Sequence, residues 1–398
     1  MKNFFYLFLI ATLLFSCSDD DEIILKKLTV NFTYDQSDMT SSENISIKLV
    51  KKSNSREFEI KKDVEGKYTV KLEEGIYDLT ATDEIVNEDG KSVYSGAKQS
   101  ILIQKEDVTI SVEMKKISSA GFVIKEMYYT GAKSEDGSQK TTTDGFVEIY
   151  NNSDMDLYAD GIGIGLVAPI STTKQSPWLS ETGELKEAGI PLIFQTWAIP
   201  GTGKDYLVKA GESLVIAIDA INHHQEVDPS PVDLSGANFE TYFEPSGKDT
   251  DVPGVKNLEL LYSTSQGIHD WTFSINGSSV IIFKLPEDRK AFVDSDDSYA
   301  TTPGSSSTTK YMLIKPEWVL DGVDGVKSET AKYKRLPNSI DVGYTFCPNG
   351  SYSATSIRRK VESIEEDGRV IYKDTNNTSE DFISCNPMPG TNPTKVDE

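Results

Sequence analysis

The sequence predicts a mainly β protein built from two tandem β-sandwich domains of the immunoglobulin-like kind. Three observations lead to this fold class: apolar and polar residues alternate in short runs, turn-forming residues separate those runs, and no window has helical periodicity. The 398 residues are enough for two or three domains, each with its own core. Aromatic residues make up 10% of the chain, which is too many for a disordered acidic chain.

The charge balance excludes one large class of partner. The chain has 63 Asp and Glu against 40 Lys and Arg, which gives a formal net charge of −23. Affinity for nucleic acid comes largely from Lys and Arg that neutralise phosphates, and here these residues are outnumbered and scattered. We therefore expect no nucleic acid partner.

The first sixteen residues form a predicted signal peptide. Lys2 precedes an apolar run that is too short to cross the hydrocarbon core of a bilayer as a helix. A charged start followed by a short apolar region is the layout of a secretory signal. Residues 1–16 are therefore predicted to be removed, and no transmembrane span is expected.

The next residues, 17–25, predict a lipid anchor and a tether. Leu14-Phe15-Ser16-Cys17 resembles the lipobox of bacterial lipoproteins, in which the cysteine is acylated and becomes the first residue of the mature chain. The alternative is a simple signal peptide with a chance cysteine. Ser18 and the acidic residues 19–22 resemble the export signal of Bacteroidota surface lipoproteins, and the alternative is a spacer on a lipoprotein that faces the periplasm. The resemblance implies an outer-membrane protein that is held in lipid by Cys17 and faces the cell exterior.

Residues 26–116 are predicted to form the first sandwich. Leu28, Val30 and Phe32 fall on one face of a strand, and the same period of two recurs in 45–49, 68–72 and 108–112. The stretch 66–79, in which a strand ends at a turn glycine and the next strand opens with tyrosine, resembles transthyretin-like or carboxypeptidase-regulatory-like sandwiches. That resemblance implies a spacer or an interaction module.

Residues 119–398 are predicted to form the second sandwich. Residues 146–151, a Phe-Val-Glu-Ile-Tyr-Asn segment before a polar turn, resemble the lamin-tail fold, which is an immunoglobulin-like sandwich. The family's closing elements follow in order, and they are Ser-x-x-Arg at 356–359, Asp-Thr-Asn at 374–376, Asp-Phe at 381–382 and Pro-Gly at 389–390. The whole architecture resembles an uncharacterised family of Bacteroidota surface lipoproteins.

A long insertion departs from the lamin-tail pattern at about residues 220–350. It contains turn-rich loops and one strongly apolar strand at 279–284. Long additions to a rigid sandwich are often where function is carried. We therefore expect the functional residues in this insertion.

Two cysteines remain after Cys17, and they allow at most one intramolecular bridge. Cys347 and Cys385 would lie in an oxidising compartment, where a disulfide between them would stabilise the fold. A bridge needs Cα atoms within about 7 Å, which a sequence does not show. Two buried free thiols remain the alternative.

Two acidic clusters are candidates for a weak calcium site, the one cofactor that the sequence suggests. One contains Asp294, Asp296 and Asp297, and the other contains Asp321 and Asp324. Calcium prefers oxygen ligands in such loops, although neither cluster matches the twelve-residue calcium loop and acidic turns are common in this chain. The adjacent His223 and His224 would point to opposite faces of an extended strand, so we expect a solvent-edge or capping role and not a shared metal.

Aromatic side chains are the last candidates for ligand binding. Trp178, Trp197 and Trp271 all lie in the second domain and could stack on a ligand, although tryptophans are more often part of a core. The glycines 161, 163 and 165 lack the spacing of a nucleotide-binding loop and predict close packing within a sheet.

These observations predict a lipid-anchored, surface-exposed and non-catalytic binding or accessory protein of the outer membrane. Its expected partners are membrane lipid, through the acyl anchor, and either an outer-membrane nutrient transporter or a surface glycan. We name no catalytic residue, because the chain has no nucleophile motif and only three histidines. The alternative is a surface hydrolase, dependent on carboxylates or a metal and acting on carbohydrate, with its site in the insertion.

Overall fold

The computed structural model describes residues 25–34, 45–87, 90–116, 121–226, 229–286 and 288–397. The predictions for residues 1–24, which include the signal peptide, Cys17 and most of the acidic tether, lie outside the described residues. Within the described ranges the chain is mainly β and is organised in several sheets, so the predicted fold class is confirmed.

The first unit, residues 25–116, consists of strands. They are β1 (Lys26–Tyr34), β2 (Ser46–Lys51), β3 (Glu57–Glu59), β4 (Lys61–Lys62), β5 (Tyr68–Leu72), β6 (Gly75–Asn87), β7 (Gly90–Ile103) and β8 (Val108–Lys116). Leu28 and Val30 of β1 are buried and the residues between them are more exposed, as the alternation predicts. The predicted strands at 68–72 and 108–112 are β5 and the first half of β8.

The first unit closes around one core. Its strands are hydrogen-bonded in the order β3-β2-β6-β7-β8-β1-β5-β4, with β1 parallel to β8. Strands from both halves of this order supply the same hydrophobic cluster, for example Leu28, Leu49, Leu79 and Val112. The sheet therefore folds over so that its two halves face each other, as in a sandwich.

The second unit, residues 121–397, contains the remaining strands. They are β9 (Phe122–Tyr128), β10 (Ala132–Lys133), β11 (Lys140–Thr141), β12 (Phe146–Asn151), β13 (Leu157–Tyr158), β14 (Ile162–Val167), β15 (Ile190–Ala198), β16 (Leu207–Val208), β17 (Ser213–Ala217), β18 (Phe239–Glu240), β19 (Lys256–Asn257), β20 (Glu259–Ser263), β21 (Val280–Lys284), β22 (Tyr299–Thr301), β23 (Lys310–Ile314), β24 (Val319–Val323), β25 (Ser356–Arg359), β26 (Val361–Ile364), β27 (Val370–Tyr372) and β28 (Phe382–Cys385).

Helices are short in the described part of the chain. They are α1 (His223–Glu226), α2 (Arg289–Asp294) and α3 (Thr378–Asp381), with 3-10 turns at Glu244–Ser246, Asp296–Ser298 and Pro316–Trp318. None of the helices in these ranges is long and apolar enough to cross a membrane.

Two large sheets face each other in the second unit. The first large sheet has the order β19-β18-β17-β12-β9-β25-β28, and the second large sheet has the order β22-β23-β15-β14-β21-β24 with β20 also paired to β15. One hydrophobic cluster joins them, because it contains Ile124 and Ile149 from the first sheet and Ile164 and Ile282 from the second. The second unit is therefore a sandwich with its main core between these sheets.

The segment at about 220–350, predicted as an insertion, is an integral part of this sandwich. It supplies β18 and β19 to the first large sheet and β20 to β24 to the second. In β21 the residues Val280–Phe283 are all buried, and the strand lies between β14 and β24. A run that is apolar on both faces belongs in the middle of a covered sheet. The added length thus builds the second layer as well as surface loops.

The glycines of β14 allow close packing within the second large sheet. A Cβ atom on Gly163 would lie 2.2 Å from the ring of Phe283, and one on Gly165 would lie 2.6 Å from the side chain of Leu192. Both distances are far shorter than real contacts, so only glycine fits at these positions. The packing role that the sequence predicts for this stretch is confirmed at 163 and 165.

The last described residues are held against the first large sheet by charged groups. Lys125 of β9 and Glu148 of β12 form a fully buried ion pair of 2.7 Å. Lys125 also donates to the carbonyl oxygen of Thr391, and Glu148 accepts from the backbone N–H of Gly390 at 3.2 Å. These contacts join the first strand of the second unit to residues more than 260 positions later.

Candidate functional site

The three tryptophans predicted as ligand-binding residues are core residues. Trp178, Trp197 and Trp271 are each at most 1% exposed. Trp197 and Trp271 belong to the main core between the two large sheets, and Trp178 packs edge-on against Tyr311. A side chain without exposed surface offers no face to a ligand, so this prediction is wrong and the core alternative is correct.

The first predicted calcium cluster is a set of surface charges. Asp294, Asp296 and Asp297 are exposed. Asp294 pairs with Lys290, and Asp296 pairs with Lys310 at 2.8 Å. Because lysines neutralise two of the three carboxylates, this cluster does not form a cation site.

The second predicted calcium pair is buried and occupied by the protein's own donors. Both carboxylate oxygens of Asp321 accept hydrogen bonds from the guanidinium of Arg359 at 2.7 Å. One of them also accepts from the backbone N–H of Ile124 at 2.6 Å. Asp324 accepts from Ser279 at 2.6 Å and from the backbone N–H groups of Arg335 and Leu336. These carboxylates stabilise the fold and have no free oxygens for calcium, so the prediction is corrected here as well.

Arg359 is the centre of a buried ion network that joins the segments at 356–359, 374–376 and 381–382 near the end of the sequence. Besides Asp321, its guanidinium contacts Asp374 at 3.2 Å and Asp381 at 3.4 Å. Burial raises the pKa of Asp374 to about 7 and that of Asp381 to about 6, although Arg359 opposes both shifts. The Ser-x-x-Arg, Asp-Thr-Asn and Asp-Phe pieces therefore meet in space, where their role is structural.

Both remaining cysteines are free thiols. Cys347 is buried, and its Sγ lies 3.7 Å from the carbonyl oxygen of Thr355, while Cys385 lies 3.3 Å from the hydroxyl of Ser356. Burial raises the pKa of both thiols, that of Cys385 to about 11. The structure therefore shows two free thiols and not the predicted bridge, with Cys347 buried as in the alternative and Cys385 half-buried.

The adjacent histidines lie in a helical turn and not in the extended strand that was predicted. His223 is fully buried and its Nε2 lies 3.0 Å from the carbonyl oxygen of Asp219, so its predicted place at the solvent edge is wrong. His224 is exposed, and its Nδ1 lies 2.9 Å from the carbonyl oxygen of Ser230. Burial lowers the pKa of His223, which keeps that ring neutral near pH 7.

Three half-buried aspartates form an acidic trio that sequence reasoning missed. One carboxylate oxygen from each of Asp219, Asp249 and Asp270 lies within 4.8 Å of the others. Burial, and then the neighbouring charge of Asp270, raise the pKa of Asp219 to about 6. Burial likewise raises the pKa of Asp249 to about 6 and raises the pKa of Asp270. Such a trio can share protons or surround a divalent cation.

The acidic trio destabilises the folded chain above pH 6, and this gives a testable prediction. We expect Asp219→Asn to raise the free energy of unfolding by about 1 to 2 kcal/mol at pH 8 in EDTA, because it removes a partly desolvated charge. A carboxyl with a raised folded-state pKa favours folding below its unfolded pKa, and this benefit is lost as pH rises to the folded pKa. The gain should therefore disappear near pH 3.8, as urea titrations at the two pH values would show.

Asp297→Asn is the matched control for this prediction, since Asp297 is exposed. It should change the free energy of unfolding by less than about 0.5 kcal/mol at either pH. A loss of stability in Asp219→Asn at pH 8 would contradict the proposal that the charge of Asp219 destabilises the fold.

A junction between the two units brings polar side chains of both together. The amide of Gln99 in β7 donates to Asn338 at 3.2 Å, and the hydroxyl of Ser100 donates to the carbonyl oxygen of Glu181 at 3.3 Å. Lys332 reaches across to Ser55 at 3.2 Å. The outer face of β2, β6 and β7 therefore lies against two loops of the second unit, around residues 175–185 and 329–344.

A cavity of about 200 Å³, the junction cavity, opens between these elements. From the first unit its charged lining residues are Lys48, Lys52 and Asp78. From the second unit they are Lys332 and Lys334. The other lining residues include Gln99, Gln175, Thr330, Tyr333 and Tyr344. The lining thus combines cations, neutral hydrogen-bonding groups and aromatic rings.

The alternation of β2 and β6 explains how the first unit supplies its share of the cavity wall. Residues 48, 50 and 52 project from one face of β2 and its extension, while Leu49 points into the core. On β6, Asp78 and Thr80 lie on the same outer face, and Leu79 is buried. The polar half of each strand pattern therefore forms the wall of the cavity.

The comparisons with known proteins agree with the fold. Residues 209–388 match a family model described as a protein of unknown function (DUF4876). The chain is also similar to the crystal structure of a DUF4876 family protein from Bacteroides thetaiotaomicron VPI-5482, with a TM-score of 0.60 and 25% sequence identity over 94% of this chain and 98% of that chain. No curated protein matches the chain. The family match contains the acidic trio, the Arg359 network and those lining residues of the junction cavity that lie between 330 and 379, whereas Gln175 and Leu179 lie before it.

Proposed function

We propose that this protein is a lipid-anchored, surface-exposed and non-catalytic binding protein of the outer membrane, which serves a nutrient transporter and holds its ligand in the junction cavity. The observation that carries the proposal is the cavity itself, since both units line it with polar and aromatic side chains. Ligand sites occur preferentially at interfaces between domains, where a few polar groups converge.

The length of the tether is consistent with a position close to the membrane. Lys26, the first residue of β1, lies nine positions after Cys17. A fully extended chain of this length spans about 30 Å. A protein anchored through Cys17 would therefore hold its first unit next to the lipid surface, where an integral membrane partner is within reach.

The anchor is tested by one substitution. We expect Cys17→Ala to release the protein from the membrane fraction, because the thiol is the predicted site of acylation and alanine has no thiol. The measurement is the partition of the full chain between soluble and membrane fractions, followed by protease treatment of intact cells. Cys385→Ala is the matched control and should leave the protein in the membrane and accessible to protease.

The accessory role is tested in the same membranes. Affinity purification of the anchored full chain after crosslinking should co-purify one transmembrane barrel, and the Cys17→Ala chain should lose it. Retention of the Cys17→Ala chain in the membrane would refute the anchor. Recovery of no barrel by the anchored chain would refute the accessory role.

A further inference from the structure

We infer that the junction cavity binds a small organic anion, with a carboxylate or phosphate group on a single sugar-sized ring. The inference rests on the proposed function, since it assumes that this cavity is the ligand site, and it adds the chemical class of the ligand. Its basis is the charge, the aromatic surface and the size of the cavity.

The charge of the cavity wall is opposite to that of the chain. Four of its five charged lining residues are lysines, and Asp78 is the fifth. In the whole sequence, acids outnumber bases by 63 to 40. A wall drawn at random from this composition would be mostly acidic. The lining of the cavity is therefore rich in cationic hydrogen-bond donors, the groups that bind anions, although the protein as a whole is acidic.

Two of the lysines can turn toward a ligand at small cost. Lys48 pairs with Glu57 at 2.8 Å and Lys52 pairs with Asp78 at 3.6 Å, and all four side chains are partly exposed or exposed. Ion pairs in such positions contribute little to stability. An incoming anion can therefore recruit Lys52 without a large loss of stability.

The other two lysines are fixed at the cavity wall by the second unit. Lys332 pairs with Glu329 at 2.7 Å, and its ammonium lies 5.5 Å from the centre of the Tyr344 ring. Lys334 donates to the carbonyl oxygen of Asp341 and to Asn338. Burial lowers the pKa of Lys334, and the neighbouring charges of Asp341, Asp324 and Asp78 oppose that shift.

Carboxylates balance these lysines, but only Asp78 among them lines the cavity. Glu57, Asp78 and Glu329 are each engaged by one of the other lysines. The carboxylate of Asp341 accepts from the backbone N–H and hydroxyl of Thr378 and from the backbone N–H of Gly343. A ligand anion would therefore meet four ammonium groups and one carboxylate at the cavity lining.

The aromatic side chains and the volume define the rest of the ligand. Tyr333 is 44% exposed, and both Tyr333 and Tyr344 line the cavity. Tyrosine faces pack against the apolar faces of sugar rings, and the hydroxyl stays available for hydrogen bonds. The cavity of about 200 Å³ is smaller than the ~300 to 1,000 Å³ of drug-sized sites, so it fits one ring.

The test measures binding of three probes to the full chain in detergent by titration calorimetry. The probes are D-glucuronate, D-glucose 6-phosphate and D-glucose, which share one ring and differ in charge. We expect at least one anion to bind about tenfold or more tightly than glucose, because a charged hydrogen bond contributes about 1.5 to 3 kcal/mol. Its binding should weaken when the salt concentration rises from 50 to 500 mM. The two anionic arms separate a carboxylate ligand from a phosphate ligand.

Variants with matched controls place the binding in the cavity. Lys332→Gln and Lys52→Gln should each weaken binding of the anion by about tenfold. Tyr333→Ala should weaken the binding of all three probes. Lys67→Gln and Tyr158→Ala should leave binding unchanged, because Lys67 pairs with Glu65 elsewhere on the first unit and Tyr158 is an equally exposed ring at 41%. Lys52→Gln keeps the test valid if Lys332→Gln disturbs the junction, since Lys52 makes only surface contacts.

The outcomes separate the inference from the proposed function. Equal affinity for glucose and both anions, or anion binding that survives Lys52→Gln and Lys332→Gln, would overturn the anionic class. Absence of binding by all three probes would overturn it too. In either case the proposed function stands as long as the anchored chain still recovers its membrane partner. Loss of that partner and of the anchor would refute the proposed function independently.

Discussion

Replacing Arg359 by methionine is expected to lower the free energy of unfolding by about 3 to 5 kcal/mol at pH 8. Arg359 is 1% exposed and is the common partner of Asp321, Asp374 and Asp381. Removal of one partner from a buried ion network leaves uncompensated charges in a medium of low dielectric. The measurement is a urea titration of the full chain, in which tryptophan fluorescence reports unfolding.

The pH dependence of this loss distinguishes charge from packing. Burial already raises the pKa of Asp374 to about 7 and that of Asp381 to about 6, and the loss of Arg359 removes the group that opposes these shifts. Carboxyls with raised folded-state pKa values destabilise the fold increasingly as pH rises, so the loss should be smaller at pH 5 than at pH 8. A loss of equal size at both pH values would contradict the electrostatic account.

The control for Arg359→Met is Arg289→Gln. Arg289 forms a partly exposed ion pair with Glu259 at 3.0 Å. Such pairs contribute little, so the substitution should cost less than about 1 kcal/mol. A cost as large as that of Arg359→Met would show that the buried network has no special role.

Gly163→Ala is expected to destabilise the chain by about 2 to 3 kcal/mol. The added Cβ would lie 2.2 Å from the ring of Phe283, and Gly163 lies in a strand whose six residues are all buried. Overpacking of a dense core forces side chains off their preferred rotamers or moves the backbone. Thermal unfolding of the variant and the parent chain would measure the effect.

Two further variants identify the cause of that loss. Gly236→Ala adds the same methyl group where no atom lies within 4 Å, so it should be neutral within about 0.5 kcal/mol. Phe283→Leu in the Gly163→Ala background removes the clashing ring atoms and should restore part of the stability. If the double variant loses more stability than the two single variants lose together, steric conflict is not the cause.

Strand positions could be predicted from the sequence where one face of a strand is covered. In β1 the buried Leu28 and Val30 alternate with more exposed residues, and this period is visible in the sequence. In β9 and β12 every residue is buried, because hydrophobic clusters and buried ion pairs cover both faces of the first large sheet. Such strands lose the alternation, and the segment 146–151 could be assigned only by resemblance.

The candidate site could not be predicted because it depends on distances between segments that are far apart in sequence. The residues of the acidic trio lie in three different loops, and Lys52 and Lys332 are separated by 280 positions. The predictions for the tryptophans and for Asp321 and Asp324 failed for a related reason. Residue type indicates which contacts are possible, but burial decides whether a ligand or the protein itself makes them.

The pairing of β9 has a consequence for the order in which the second unit forms during synthesis. β9 lies between β12 and β25, and its Lys125 binds the carbonyl oxygen of Thr391. A strand made early must therefore wait for partners made more than 230 residues later, and contacts of such separation form slowly. We expect the nascent second unit to lack a stable sandwich until residues 356–391 have been translated.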